Sequence, residues 1–354
     1  MKNFLVVDDS ALMRKVICDI IESNNRYHVE DIARDGQDAY ELLKVKTYDA
    51  VILDINMPRM TGLELLEALK RDNIKARIIV ASTLTVDGSK ETMQALELGA
   101  FDFVTKPGNF IEAKGEMFHE VLLRAIDTAV MVTATRPVPR VLQKTASVPA
   151  APVVRGKKTS STRNHVIAIA CSTGGPKSLQ SVLPKLPANL DAPVLLVQHM
   201  PAGFTGTLAS RLDELSKVKV KEAEDGEELK NGVVYIAPGG RHLTCQKFGS
   251  SHRIKLNDDP PRDALRPCAN IMYDSLIDCG YQEIICVVLT GMGSDGTEGI
   301  RHLSQNKSIY VISQDASSSV VYGMPKAIAQ AGLSNEIVPL ETVADSITKY
   351  VGVY

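Results

Sequence analysis

Short apolar runs that stop abruptly on a polar residue recur along this chain, and amphipathic stretches fill the gaps between them. Residues 4–7 (Phe-Leu-Val-Val) halt at Asp8 and Asp9, 50–53 (Ala-Val-Ile-Leu) at Asp54, and 77–81 (Arg-Ile-Ile-Val-Ala) at Ser82. With helix-periodic segments such as 11–23 and 61–71 between them, this alternation predicts βαβ units around a parallel sheet. It restarts at His165. Strands are expected at 165–170, 193–198, 233–237, 283–290 and 308–313, and helices from about Pro176, near 203–216, near 296–305 and at 324–331.

The two series are separated by a change of composition. No acidic residue occurs from Thr128 to Leu190, and 134–164 carries Pro137, Pro139, Pro149 and Pro152 with seven Lys or Arg. Such a segment cannot build a core and reads as a basic spacer. The 354 residues therefore divide into an α/β unit at 1–125, a helix end and basic linker at 126–163, and a second α/β unit at 164–354. The formal net charge of -2 gives no sign of a global attraction to nucleic acid or acidic lipid. No apolar run reaches the roughly 20 residues that cross a bilayer, and Met1-Lys2-Asn3 does not open a signal peptide, so the cytoplasm is the expected compartment. Six cysteines without a CxxC pair predict free buried thiols.

Open α/β sheets bind ligands outside the carboxyl ends of their strands, so chemistry is sought at the residues that end each apolar run. In the first unit these are Asp8, Asp9, Asp54, Ser82 and, after the run 101–105, Lys106. Three converging carboxylates repel one another unless a hard cation holds them, which points to Mg²⁺. Asp54 can then attack a phosphoryl group, Lys106 can pair with its oxygens, and the Ser82 hydroxyl can donate to it once attached. The bland alternative makes these aspartates ordinary turn residues.

In the second unit the same rule selects Ser172, His199 and Asp295. Ser172 opens the turn Ser172-Thr173-Gly174-Gly175-Pro176, where two glycines permit a tight bend and the proline suits a first helical position. An alcohol, a base near neutral pKa and an orienting carboxylate are what acyl transfer requires. Rivals remain at this stage. His242 is a second candidate base, the Cys171 thiol a second candidate nucleophile, and Asp295 could merely cap the following helix. Residues 291–296 (Gly-Met-Gly-Ser-Asp-Gly) also match a dinucleotide-binding fingerprint with Asp315 after the next strand, although Asp295 would set a carboxylate where a pyrophosphate must sit.

The Val-Val-Asp-Asp-Ser start, the Leu-Asp-Ile-Asn-Met-Pro segment and Thr105-Lys106-Pro107 resemble a response-regulator receiver. In the second unit Cys-Ser-Thr-Gly-Gly-Pro, Gln-His-Met-Pro-Ala-Gly-Phe-Thr and Leu-Thr-Gly-Met-Gly-Ser-Asp-Gly resemble the protein-glutamate methylesterase (CheB) family, whose domain order also matches. The resemblance implies a flavodoxin-like doubly wound receiver joined to a methylesterase domain with a mainly parallel sheet. It implies Asp8, Asp9, Asp54 and the Asn56 carbonyl as metal ligands, Asp54 as phosphoacceptor, and Ser82 with Lys106 as switch. Ser172 becomes the nucleophile, His199 the base and Asp295 the orienter, with Thr173 and the Met292 backbone at the oxyanion. The implied reaction is hydrolysis of glutamyl methyl esters on methyl-accepting chemoreceptors, with glutamine deamidation beside it, in a monomer phosphorylated by a histidine kinase. Its unphosphorylated receiver is expected to pack over the esterase cleft. Two departures stand out. Cys171 replaces a usual alanine, and 260–268 lacks the histidine and serine often found around its Arg266-Pro267 pair, which touches the substrate cleft but not the reaction class.

Overall fold

The computed structural model describes residues 1–108, 115–133 and 164–352. In the N-terminal unit β1 (Lys2–Val7), β2 (Tyr27–Ala33), β3 (Ala50–Asp54), β4 (Ile78–Ser82) and β5 (Asp102–Thr105) form one sheet in the order β2-β1-β3-β4-β5, with every pair parallel. Side chains alternate across a strand, so Phe4 and Val6 pack under α1 (Ala11–Glu22) and α5 (Glu116–Thr133). Leu5 and Val7 pack under α2 (Gly36–Val45), α3 (Gly62–Arg71) and α4 (Val86–Leu98). Because α5 still buries Ile126 and Ala129 in this core, the packed body continues past residue 125. The basic segment 134–163 lies outside the described residues.

The second unit is built on a seven-stranded sheet of β6 (His165–Cys171), β7 (Val194–Gln198), β8 (Lys219–Glu222), β9 (Val233–Ile236), β12 (Glu283–Val288), β13 (Ser308–Gln314) and β14 (Glu336–Val338). Its order is β14-β13-β12-β6-β7-β9-β8, again parallel throughout. A separate antiparallel hairpin, β10 (His242–Phe248) and β11 (Ser251–Asn257), turns at Gly249, whose φ of 60° favours glycine. The helices are α6 (Gly175–Val182), α7 (Thr205–Leu215), α8 (Ala269–Ser275), α9 (Thr297–Asn306), α10 (Met324–Gln330) and α11 (Val343–Val351). The α/β class and every strand and helix expected in this unit are present. The hairpin, β8, α8, β14 and α11 carried no clear apolar run and were not foreseen.

In both sheets the connections reverse direction at one strand. β1 lies between β2 and β3, and β6 lies between β7 and β12, so a crevice opens at the carboxyl end of each. Asp8 follows the first of these strands and Ser172 the second. The units also pack against each other. The core on the α2–α4 face of the first sheet continues into the α6–α7 face of the second. Phe103 and Phe204 meet with ring centroids 4.7 Å apart, and Arg211 Nε bonds Glu97 Oε1 at 2.7 Å. No described helix is long and apolar enough to cross a membrane.

Candidate active site

At the carboxyl edge of the first sheet, carboxylate oxygens of Asp8, Asp9 and Asp54 lie within 4.8 Å of one another. Lys106 Nζ spans two of them, 2.7 Å from Asp8 Oδ2 and 2.8 Å from Asp54 Oδ2. Burial is the largest influence on the Asp54 carboxyl and pushes it above its usual range. Lys106 pulls it down, while Asp8 adds to the rise. This oxygen set fits a hard divalent cation. Asn56 turns its side chain to Glu91 at 3.0 Å. The buried Ser82 hydroxyl donates to the Gly88 carbonyl at 3.1 Å, inside the first turn of α4, so it must swing away to serve a group on Asp54.

Register brings the second set together. Cys171 pairs with Gln198 across β6 and β7, so the next residues, Ser172 and His199, leave adjacent strands side by side. The His199 amide donates to the Cys171 carbonyl at 3.2 Å, and the Ser172 amide to the Thr290 carbonyl at 3.0 Å. Beyond Thr290, Gly293 and Gly296 adopt φ of 85° and 95° and fold the loop back, carrying Asp295 to His199. His199 Nε2 and Asp295 Oδ2 are 2.8 Å apart. Nδ1 is therefore the ring nitrogen left to take a proton from Ser172. Among the described residues no hydrogen bond joins the Ser172 hydroxyl to His199, but both line one cleft of about 580 Å³.

The carboxylate of Asp295 is held by more than the histidine. Its Oδ2 accepts from the Ala269 amide at 2.6 Å, and its Oδ1 from the amides of Asn270 and Gly296, each at 2.9 Å, and from Cys268 Sγ at 3.2 Å. Burial, the strongest single influence, raises this carboxyl. The bond and charge of His199 and the two α8 amides outweigh it and bring it down to about 2. Helix α8 has no capping side chain next to it in sequence, so Asp295 caps it from a distance. The favour is returned, because Asn270 Oδ1 in α8 accepts from Gly296 at 3.0 Å and Gly299 at 2.8 Å at the start of α9. Thus Asp295 is a cap after all, but of a helix other than the one that follows it, and it orients His199 at the same time.

The turn that carries Ser172 is fixed from behind. The Thr290 hydroxyl donates to the Thr173 carbonyl at 2.9 Å and accepts from the Val321 amide at 2.9 Å. A Cβ on Gly291 would stand 2.8 Å from Ser172 Cβ and 2.4 Å from Met324 Sδ, so only glycine leaves room for the serine. Gln198 Nε2 donates to the Ser172 carbonyl at 3.1 Å, and its Oε1 accepts from the Cys171 thiol at 3.1 Å. That thiol is fully buried and burial pushes its pKa up, which leaves it inert. His242 is buried with Nε2 3.2 Å from the Pro260 carbonyl and does not line the cleft. Residues 291–296 do sit between a strand and a helix, but the Asp295 side chain fills the turn, and Asp315 binds Ser317 and Ser318.

The N-terminal unit roofs this cleft. Asp102, Thr105, Val121 and Arg124 line one wall, facing Ser172, His199 and Met292. The Thr173 hydroxyl donates to Asp102 Oδ2 at 2.7 Å, and Met292 touches Thr128 of α5. Burial raises the Asp102 carboxyl, opposed by its bonds from Thr173 and the Phe103 amide. Sequence reasoning named Ser172, Thr173, His199, Met292 and Asp295, and all five line this cleft. It missed Cys268, Asn270, Thr290 and Asp102, whose roles depend on partners far away in the chain.

Residues 4–114 match the response regulator receiver domain family, and residues 167–347 match the CheB methylesterase family. The chain is 43% identical over 346 residues to the protein-glutamate methylesterase/protein-glutamine glutaminase of Halalkalibacterium halodurans, covering 98% of this chain and 97% of that one. The protein of the same name from Bacillus subtilis is 39% identical over 355 residues, with 98% of each chain covered. The crystal structure of the Thermotoga maritima CheB methylesterase catalytic domain superposes with a TM-score of 0.51 at 39% identity, covering 53% of this chain and 98% of that one.

Proposed function

Because the chain belongs to the CheB methylesterase family and joins that domain to a response regulator receiver, we propose that it is a receiver-controlled protein-glutamate methylesterase acting in chemotaxis. Ser172 is the nucleophile, His199 the general base and Asp295 the orienting acid. The observation that carries this reading is the 2.8 Å bond between His199 and Asp295 in the cleft that also exposes Ser172.

In this mechanism Ser172 Oγ attacks the carbonyl carbon of a glutamyl methyl ester while His199 Nδ1 takes its proton. The Thr173 and Met292 backbone stabilises the developing oxyanion. Collapse of the tetrahedral adduct expels methanol, which leaves with the proton from His199. Water, deprotonated by the same nitrogen, then cleaves the acyl-serine and releases the glutamate carboxylate. Throughout, Asp295 stays ionised and keeps its proton-bearing partner nitrogen turned away from Ser172. A glutamine side chain offers the same carbonyl with ammonia as leaving group, so deamidation needs no further residue.

Control is assigned to the receiver. A Mg²⁺ ion held by Asp8, Asp9, Asp54 and the Asn56 carbonyl would neutralise the phosphoryl oxygens delivered by a histidine kinase. Asp54 accepts the group, Lys106 pairs with it, and Ser82 leaves Gly88 to reach it. Since Ser82 opens the loop into α4, and α4 and β5 carry the Glu97, Phe103 and Asp102 contacts, this movement loosens the roof over the cleft. The substrates are methylated chemoreceptors met in the cytoplasm by a monomer that neither binds nucleic acid nor needs a cofactor in its esterase site. Methanol release from methylated receptor membranes tests the chemistry: Ser172→Ala should fall to a trace of the native rate, and full activity in that variant would refute the assignment.

A further inference from the structure

Of the six cysteines, five are buried and one, Cys18, is partly exposed. Cys268 differs from the rest in its partner. Cys171 donates to the side-chain oxygen of Gln198 and Cys279 to the main-chain carbonyl of Ser275, whereas Cys268 Sγ lies 3.2 Å from a carboxylate oxygen, Asp295 Oδ1. A thiol that short of an anion is a donor in a charge-assisted bond. Two causes keep it protonated: burial first, then the Asp295 charge, which together push it up to about 12. The sulfur is fully enclosed, so water cannot replace it.

Its position makes the bond directional. Cys268 precedes α8, whose first two amides also reach Asp295, and Asn270 locks α8 to the start of α9. The thiol thus closes the donor set on Oδ1 while Oδ2 is left to His199 and Ala269. We propose that Cys268 is a positioning residue of the hydrolytic site: its S–H bond to Oδ1 fixes the rotation of the Asp295 carboxylate, so that Oδ2 meets His199 Nε2 in line. This rests on the reading of Ser172, His199 and Asp295 as the catalytic set. It also accounts for a position that sequence reading left to the substrate cleft, since the residue after Arg266-Pro267 serves the triad acid and not the substrate.

The test uses the full-length chain. Methanol release is measured across pH for Cys268→Ala and Cys268→Ser, and the Cys268 S–H stretching band is isolated from infrared difference spectra of native protein against C268S, with and without Asp295→Asn. In Cys268→Ala, kcat should fall about fivefold at unchanged KM, the size of one ordinary hydrogen bond, because a thiol is a weak donor even to an anion. Loss of a donor makes the carboxylate more basic, so the low-pH loss of activity should move to higher pH, and Cys268→Ser, which restores an O–H donor, should return both values to native. The S–H band should rise in frequency when Asp295 is replaced. Unchanged kcat and pH profile in Cys268→Ala, or a band indifferent to Asp295, would overturn the proposal. Failure of the triad reading would show separately, as an Asp295→Asn enzyme that keeps its activity while the band still shifts. Should Cys268→Ala not fold, C268S and the native spectrum still decide the question.

Discussion

Asp54 and Asp295 are both aspartates that follow an apolar strand at the rim of a parallel sheet, and both are buried, yet their carboxyls are displaced in opposite directions. Around Asp54 the nearest groups are two more carboxylates, a single lysine and the Ile55 amide, and against these few donors burial prevails and the carboxyl rises. Around Asp295 stand an imidazole, three backbone amides and a thiol, and the bond and charge of His199 with the two α8 amides prevail over burial. In the proposed function the first site takes up a cation and a phosphoryl group. The carboxylate of the second is held by donors of the chain itself. The strand-end rule finds both aspartates, but only the donor inventory around each distinguishes a receptor of charge from a fixed orienter.

Exchanging each acid for its amide should separate these roles most sharply in activity. Asp295→Asn is expected to reduce methanol release by about three to four orders of magnitude, because an amide presents the wrong partner to His199 Nε2. Asp54→Asn should keep the basal rate and lose all response to a small-molecule phosphodonor with Mg²⁺. A phosphodonor response that survives in Asp54→Asn would erase the distinction.

A smaller effect is expected where the two regions touch. Asp102 ties the receiver to Thr173 beside the nucleophile, so Asp102→Ala should raise the basal rate of the unphosphorylated enzyme roughly fivefold, the equivalent of one hydrogen bond. A fall in the basal rate instead would mean that Asp102 supports the esterase site and does not restrain it.

The smallest effect lies in stability, and it should have opposite signs. The folded-state carboxyl of Asp295 is lowered to about 2, so its contribution is present above the unfolded value near 3.8 and fades as pH falls between the two. Asp54 is raised, so its ionised form at neutral pH works against folding. At pH 7 in metal-free buffer, Asp295→Asn should lower the Tm and Asp54→Asn should raise it, each by about 2–4 °C per kcal/mol for a domain of this size. Shifts of the same sign, read by calorimetry, would contradict the contrast.

Much of this was legible before any coordinates. Apolar runs ending on Asp8, Asp54, Ser172 and His199 located both crevices, because parallel strands buried on both faces leave their polar residues at the rim. The hairpin β10–β11 escaped because its strands mix Thr, Gln, Lys, His and Arg with few apolar positions and belong to no central sheet. Cys268, Asn270 and Thr290 escaped for another reason. Each works through a partner that register or a returning loop delivers, and a thiol or a threonine carries no mark of that partner in its own neighbourhood. What Asp295 touches could be read only in three dimensions, where it caps α8 instead of the helix that follows it and bonds His199.

The rate at which an acyl-serine reagent labels the chain, followed with the modified residue identified by mass spectrometry, tests the central claim most directly. Labelling should fall on Ser172 alone and accelerate once Asp54 carries a phosphoryl group. A chain that takes no label at Ser172, or takes it at the same rate in both states, would contradict a hydrolytic serine governed by the domain that covers it.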